Sequence, residues 1–220
     1  HFVGNDSEFE RNSIDTQVDE RTLRELYLVP FEHAVKDGNA WGIMSAYNRL
    51  NGTFCSEHEW LLTSVLRDEW GFDGFVVTDW FAARSTADMA NAGLNLEMPG
   101  EGRFYGAALL AAVEAGEVSS DALDRIVRDV LTVMERTGAL DGDGDFTEGT
   151  LDRPEDRATI RAAAAAGSVL LRNDGILPLD GSDLKKIALI GPNAYAAKVM
   201  GGGSAKVNAY RATSPLDALR

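Results

Sequence analysis

Asp79 directly follows the short apolar run Phe75-Val76-Val77-Thr78 and precedes Trp80, which makes it the first residue to consider for chemistry. Two similar junctions occur in the chain. Tyr47 and Asn48 follow Trp41-Gly42-Ile43-Met44-Ser45-Ala46, and Glu97 lies in Leu94-Asn95-Leu96-Glu97-Met98. If these runs are parallel strands, their carboxyl ends are where ligands meet a barrel or an open sheet. A carboxylate at such an end is costly to desolvate without hydrogen-bond partners or a substrate. Asp79 therefore reads as a reactive acid, as a helix N-cap or as the partner of an arginine, and residue type alone leaves these open. Trp80 fits core packing, or a flat platform for the apolar C–H face of a sugar. Glu97 reads as a second carboxylate or as a buried structural acid. Tyr47 and Asn48, with Arg49 and Asn51-Gly52, also suit a plain loop. Gly201-Gly202-Gly203-Ser204 superficially resembles a phosphate cradle. It lacks both the G-x-G-x-x-G spacing and a Lys-Ser/Thr pair, so flexible access for another ligand is the better reading.

These residues need elements to carry them. Asp19 to Asp37 is helical in pattern, interrupted or restarted by Pro30. The strand 41–47 runs into the turn signal Asn51-Gly52. Ser56 and Glu59 stand as a capping box ahead of the apolar helix positions Trp60, Leu61, Leu62, Val65, Leu66 and Trp70. Gly71 and Gly74 separate that helix from the strand 75–78. A short helix over 85–91 and the strand 94–98, ended by Pro99-Gly100, come next. Helices over 103–115 and 120–137 follow, the second with apolar residues from Leu123 to Met134 at helical spacing. Repeated βα units with nearly all-apolar strands predict a parallel sheet covered by helices, an open doubly wound sheet or part of a (β/α)8 barrel. Three strands do not close a barrel by themselves. Glycine and acid from Leu140 to Asp145 read as a linker. Beyond it lie an alanine-rich helix over 154–166, a stretch 168–171 that continues the helix or forms a strand, and a buried strand over 187–190. The expected domains are thus 1–138, a linker 139–153, and 154–220.

The composition narrows the partners. With 220 residues, 45% hydrophobic and 25% charged, the chain has the make-up of an ordinary globular protein. The net charge of −14 argues against nucleic acid or an anionic membrane as partner. No apolar run approaches the roughly 20 residues of a membrane-spanning helix. Cys55 is alone and His1, His33 and His58 are dispersed, so neither a disulfide framework nor a zinc spacing is present.

Read together, the same positions resemble glycoside hydrolase family 3, in its β-glucosidase branch. His1-Phe2-Val3-Gly4-Asn5-Asp6-Ser7-Glu8 with Arg11 looks like the family's strand-end Lys-His-Phe motif entered one residue late. Glu20-Arg21-Thr22-Leu23-Arg24-Glu25 through Phe31 is similar to the helix that follows. Met44-Ser45-Ala46-Tyr47-Asn48 resembles the next strand end. Gly71-Phe72-Asp73-Gly74-Phe75-Val76-Val77-Thr78-Asp79-Trp80 resembles the segment that holds the nucleophile, where serine is commoner than Thr78. Leu94 to Gly100 looks like the last barrel strand. Val169-Leu170-Leu171-Arg172-Asn173-Asp174, Leu177-Pro178-Leu179 and Ile190-Gly191-Pro192-Asn193-Ala194 resemble the start of the second domain.

The resemblance implies an α/β fold: the C-terminal part of a (β/α)8 barrel, then the start of an α/β sandwich domain. It implies a retaining, exo-acting β-glucosidase on β-linked glucosides or oligosaccharides, with no metal or organic cofactor. Asp79 would be the nucleophile and Trp80 a wall of the sugar site. His1 and Arg11 would bind sugar hydroxyls, Met44 and Tyr47 would line the pocket, and Ser204 would reach the sugar from the second domain. The family's N-acetylglucosaminidase branch carries Gly-His-Gly and Asp-Ser-His, where this chain has Val3 to Glu8. On this match the lysine and about five barrel strands precede His1, and the acid/base glutamate follows Arg220, so the piece alone is expected to be inactive. Alternatives are a β-xylosidase or α-arabinofuranosidase on the same scaffold, or a sugar-binding protein that has lost catalysis. A metal-dependent barrel enzyme is poorly supported for want of clustered ligands.

Overall fold

The computed structural model describes residues 1–100, 102–142, 149, 151–182 and 184–220. It forms two compact units, His1–Asp145 and Phe146–Arg220. Of the linker expected over 139–153, residues 143–148 and 150 lie outside the described residues.

The first unit is built on a parallel sheet. Strand β1 is Asp15–Thr16, β2 Gly42–Ser45, β3 Arg49–Leu50, β4 Thr53–Phe54 and β5 Phe75–Thr78. β2 and β5 pair in parallel over their full lengths, Gly42 opposite Phe75 and Ser45 opposite Thr78. Phe2 extends the sheet on the β2 side, with Phe2 N–H donating to Met44 O (2.8 Å) and Ala46 N–H to Phe2 O (2.9 Å). Leu96 extends it on the β5 side, where its carbonyl accepts from Thr78 N–H at 2.9 Å. The expected strand 94–98 is therefore a single bridge. Two side-chain hydrogen bonds flank that bridge, Val76 N–H to Asn95 Oδ1 and Met98 N–H to Thr78 Oγ1. A second, small sheet runs β1-β3-β4, with the β3–β4 hairpin turning at Asn51 and Gly52, both at positive φ. That is the turn chemistry an Asn-Gly pair favours.

Helices cover the sheet. Glu20–Thr22 is α1, and a wide-turn segment Leu23–Tyr27 leads into α2, Val29–Lys36, which Pro30 opens rather than breaks. Proline is tolerated there because first-turn N–H groups have no helical partner. The helix Trp60–Glu69 buries Leu61, Leu62, Val65 and Leu66 completely. Each such side chain contributes roughly 1.5–3 kcal/mol of burial. Its expected capping box does not form. Ser56 sits in the short turn Cys55–Glu57, and its Oγ donates to Ala82 O at 3.1 Å, tying that turn to the chain after β5. A tertiary acceptor has taken the hydroxyl from the local one. Helix α3 is Ala87–Ala92, α4 Ala107–Glu114 and α5 Ser120–Arg136. Gly74 ends the connection into β5 under tight constraint, since a Cβ there would lie 2.2 Å from Trp41 O.

In the second unit, α6 is Pro154–Gly167 and α7 Pro215–Leu219, the latter with a true capping box between Ser214 and Asp217. The buried strand expected over 187–190 is not observed. Ile190 is 94% exposed, and neither this stretch nor 168–171 pairs as a strand among the described residues. A parallel strand needs a neighbour to satisfy its backbone, and these residues supply none.

Candidate active site

The carboxyl ends of the parallel elements converge on Asp79. The acid leaves β5 with its N–H toward Ser45 O (3.3 Å) and its carbonyl accepting from Ala82 N–H (3.0 Å). The neighbouring strand on one side and a tight turn on the other thus fix the backbone around the side chain. Oδ1 accepts from Trp80 N–H at 2.6 Å, and Oδ2 lies 2.6 Å from His1 Nε2. The Asp79 side chain is 13% exposed. It caps no helix, since α3 begins at Ala87, and it pairs with no arginine among the described residues. Among the described residues it therefore serves neither as a helix cap nor as the partner of an arginine.

Tyr47 is buried beside this carboxylate. Burial first, and then the hydrogen bond to Asp79, raise its pKa above the ordinary phenol value. The His1 ring meets Tyr47 edge-on, with ring centroids 5.9 Å apart. Arg11 does not reach Asp79. Its guanidinium stacks over the Tyr47 ring at 4.6 Å and pairs weakly with Glu8 at 3.4 Å. Met44 lies on β2 opposite Val77, and Trp80 is half exposed, free to present its face. Phe81 follows with φ 65 and donates its N–H to Met98 O at 2.9 Å. Left-handed backbone is unusual for a bulky aromatic residue and marks a tightly determined turn.

Glu97 is the structural acid of the two readings. Its carboxylate accepts from the backbone N–H groups of Phe104 (2.9 Å) and Tyr105 (2.8 Å) and so holds the chain entering α4. Ser204 belongs to the second unit, where it lies exposed in the short turn Gly203–Ala205. Among the described residues no group of three or more His, Cys, Asp or Glu side chains converges as a metal site would need.

Three residues near the site were not legible in the sequence. Arg84 donates to Asn12 O (2.9 Å) and pins the loop that carries Arg11. Asn5 contacts the His1 ring at 2.7 Å. Asn95, 3% exposed, joins Val76 N–H to the buried pair Arg67–Asp129, whose N···O distance is 3.0 Å. An amide has no charge to attract notice, and Arg84 lies among ordinary surface residues.

Residues 1–133, more than half of the chain, match the glycosyl hydrolase family 3 N terminal domain, and 168–220 match the family's C-terminal domain. The chain belongs to glycosyl hydrolase family 3. A β-glucosidase of Rhizobium radiobacter is 54% identical over the whole chain, which covers 27% of that protein. A probable β-glucosidase I of Aspergillus oryzae is 44% identical over 99% of the chain and 26% of its own length. Among solved structures, β-glucosidase 3B of Thermotoga neapolitana in complex with glycerol superposes with TM-score 0.85 at 39% identity, over all of this chain and 31% of that one. DesR, a β-glucosidase of Streptomyces venezuelae in complex with D-glucose, gives 0.87 at 38%, over all of this chain and 30% of that one. This family 3 chain thus spans about a quarter of the length of the curated relatives it matches. Its α/β first unit is the C-terminal part of the family's (β/α)8 barrel, and 168–220 fall in the α/β sandwich domain that follows.

Proposed function

We propose that the whole protein is a retaining, exo-acting β-glucosidase that removes terminal β-D-glucosyl residues from β-linked glucosides or oligosaccharides, with Asp79 as nucleophile. The observation that carries this reading is the Asp79 carboxylate, held at the end of β5 with Oδ2 2.6 Å from His1 Nε2 and Oδ1 on Trp80 N–H. The names of the relatives, and glucose in several solved neighbours, support the sugar.

A retaining enzyme attacks the anomeric carbon with one carboxylate while a carboxylic acid about 5–5.5 Å away protonates the leaving oxygen. In this reading the carbon–oxygen bond to the aglycone breaks as Asp79 forms an ester to the sugar. Water then hydrolyses that ester, with the second carboxyl acting as base. Glu97 does not serve as that second group, because its oxygens already accept from Phe104 and Tyr105. The partner is a glutamate of the second domain outside these residues. His1 and Arg11 bind sugar hydroxyls, Met44 and Tyr47 line the pocket, Trp80 supports the sugar's apolar face, and Ser204 contributes from the second domain. Fixed donors around the reacting carboxylate need no reorganisation as charge develops on the sugar.

The test is covalent trapping. A 2-deoxy-2-fluoro-β-glucoside incubated with the whole protein should label the peptide containing Asp79, and Asp79→Asn should lose turnover. Label on another carboxylate, with turnover retained in the variant, would reject the assignment.

A further inference from the structure

Arg49, Arg84 and Arg103 take no part in the reaction as proposed, yet they gather close to it. Arg49 opens β3, two residues after Tyr47, and its guanidinium lies over the Phe54 ring at 4.1 Å. Arg84 follows Asp79 by five residues, past the exposed Trp80 and Phe81, and its guanidinium meets the same Phe54 ring at 4.7 Å. Arg103 stacks over Phe104 at 5.0 Å, in the loop that forms a small hollow with Phe81. Burial first, and then repulsion from Arg49 and Arg103 against the pull of Glu57, hold the Arg84 guanidinium below its ordinary value. The three cations thus share one neighbourhood.

In a chain of net charge −14, this neighbourhood stands out for its want of anions. Among the described residues none of the three pairs with a carboxylate, unlike Arg24, Arg67 and Arg136. The acids within reach are mostly taken. Asp15, opposite Arg49, accepts from Gly52 N–H and Gln17, and Glu97 accepts from Phe104 and Tyr105. Glu57 alone remains, and it stands beyond ion-pair distance from Arg84. Arg84 donates once, through Nη2 to Asn12 O at 2.9 Å, and its Nε is buried without a partner. Unpaired donors of this kind are costly, and a planar guanidinium matches a carboxylate with two parallel bonds. We propose that these arginines form an anion subsite beside the glucosyl site, which receives a carboxylate carried on the leaving portion of the β-glucoside. The reaction rests on the β-glucosidase reading; the charge preference rests on the arginines. His1 and Tyr47 meet the Asp79 carboxylate itself, so the glucosyl ring occupies that ground and the arginines lie past it. The exposed Trp80 and Phe81 between them suit an aromatic ring. A phenol that bears a carboxylate has both features.

The experiment compares 4-carboxyphenyl with 4-carbamoylphenyl β-glucoside on the whole protein. The amide is a neutral near-isostere and its phenol is the better leaving group, so leaving-group chemistry alone favours it. The wild type should instead show a kcat/KM about 10-fold or more higher for the carboxylate, chiefly through KM. That ratio should shrink as salt rises. Arg49→Gln and Arg84→Gln should each bring it toward one, and Arg84→Lys, which keeps the charge without the fork, should fall between. The ratio cancels any general loss of activity in a variant. A wild-type ratio at or below one, or a preference that both glutamine variants leave unchanged, would overturn the proposal. If neither glucoside is turned over, the β-glucosidase reading fails, and calorimetry with 4-hydroxybenzoate and 4-hydroxybenzamide decides the subsite. It stands if the wild type binds the acid about 10-fold tighter than the amide and Arg49→Gln does not, and it falls otherwise.

Discussion

Asn95→Ala should loosen the strand that carries Asp79, and the size of the effect follows from what the side chain touches. Oδ1 accepts from Val76 N–H at 2.7 Å and from Arg67 at 2.8 Å, while Nδ2 donates to Asp129 at 3.0 Å and Ile126 O at 3.2 Å. Val76 is fully buried in the middle of β5, and its carbonyl already accepts from Asn95 and Leu96 N–H on the same side. Removal of the amide leaves the Val76 N–H unpaired, which costs about 1–3 kcal/mol. Arg67 and Asp129 keep each other but each loses a charge-assisted bond in a nearly buried place, about 1.5 kcal/mol apiece. The expected total is about 4–6 kcal/mol. Urea unfolding followed by tryptophan fluorescence reads it, because Trp41, Trp60, Trp70 and Trp80 all lie in the first unit. Hydrogen exchange at Val76 should accelerate in parallel. A loss under about 1 kcal/mol with unchanged exchange would refute the idea that this amide holds β5, and water taking its place would be the physical alternative.

Gly74→Ala should destabilise the first unit by about 3 kcal/mol or more, because the new methyl meets the Trp41 carbonyl and β5 must move to admit it; a thermal shift within 1 °C of wild type would contradict this. Burial pushes the Cys55 thiol up to about 11, from an ordinary value near 9. The folded protein at pH 8 should therefore resist alkylation at Cys55 until it unfolds. The folded pKa lies above the unfolded one, so stability is unaffected below about pH 9 and falls as the pH rises through about 11. A Cys55→Ala protein should lack that alkaline loss in a series of thermal melts.

The parallel strands were legible because they are short apolar runs closed by glycine or a turn pair, as in Phe75–Thr78 after Gly74 and Gly42–Ser45 before Asn51-Gly52. The strand-end rule then singled out Asp79 and Tyr47, and the structure brings both together with His1. What could not be read was the choice a polar side chain makes among acceptors. Ser56 had the local pattern of a cap, yet Ala82 O, twenty-six residues away, claims its hydroxyl. Glu97 stood at a strand end like Asp79, but backbone N–H groups from 104 and 105 occupy it. Arg11, expected to bind sugar hydroxyls, has its guanidinium over the Tyr47 ring. Ile187–Ile190 had the composition of a buried strand, and composition cannot supply the neighbour that a strand requires.

Asp79 and the two groups that meet it, His1 and Tyr47, are carried by three different sheet elements. A ribosome therefore delivers the histidine and the phenol long before the acid they surround. Until β5 pairs with β2, the two are polar groups with no anion between them. Closure of the sheet and assembly of the site are one event, set by the slow search for distant strand partners. Activity recovered during refolding should therefore report sheet closure itself.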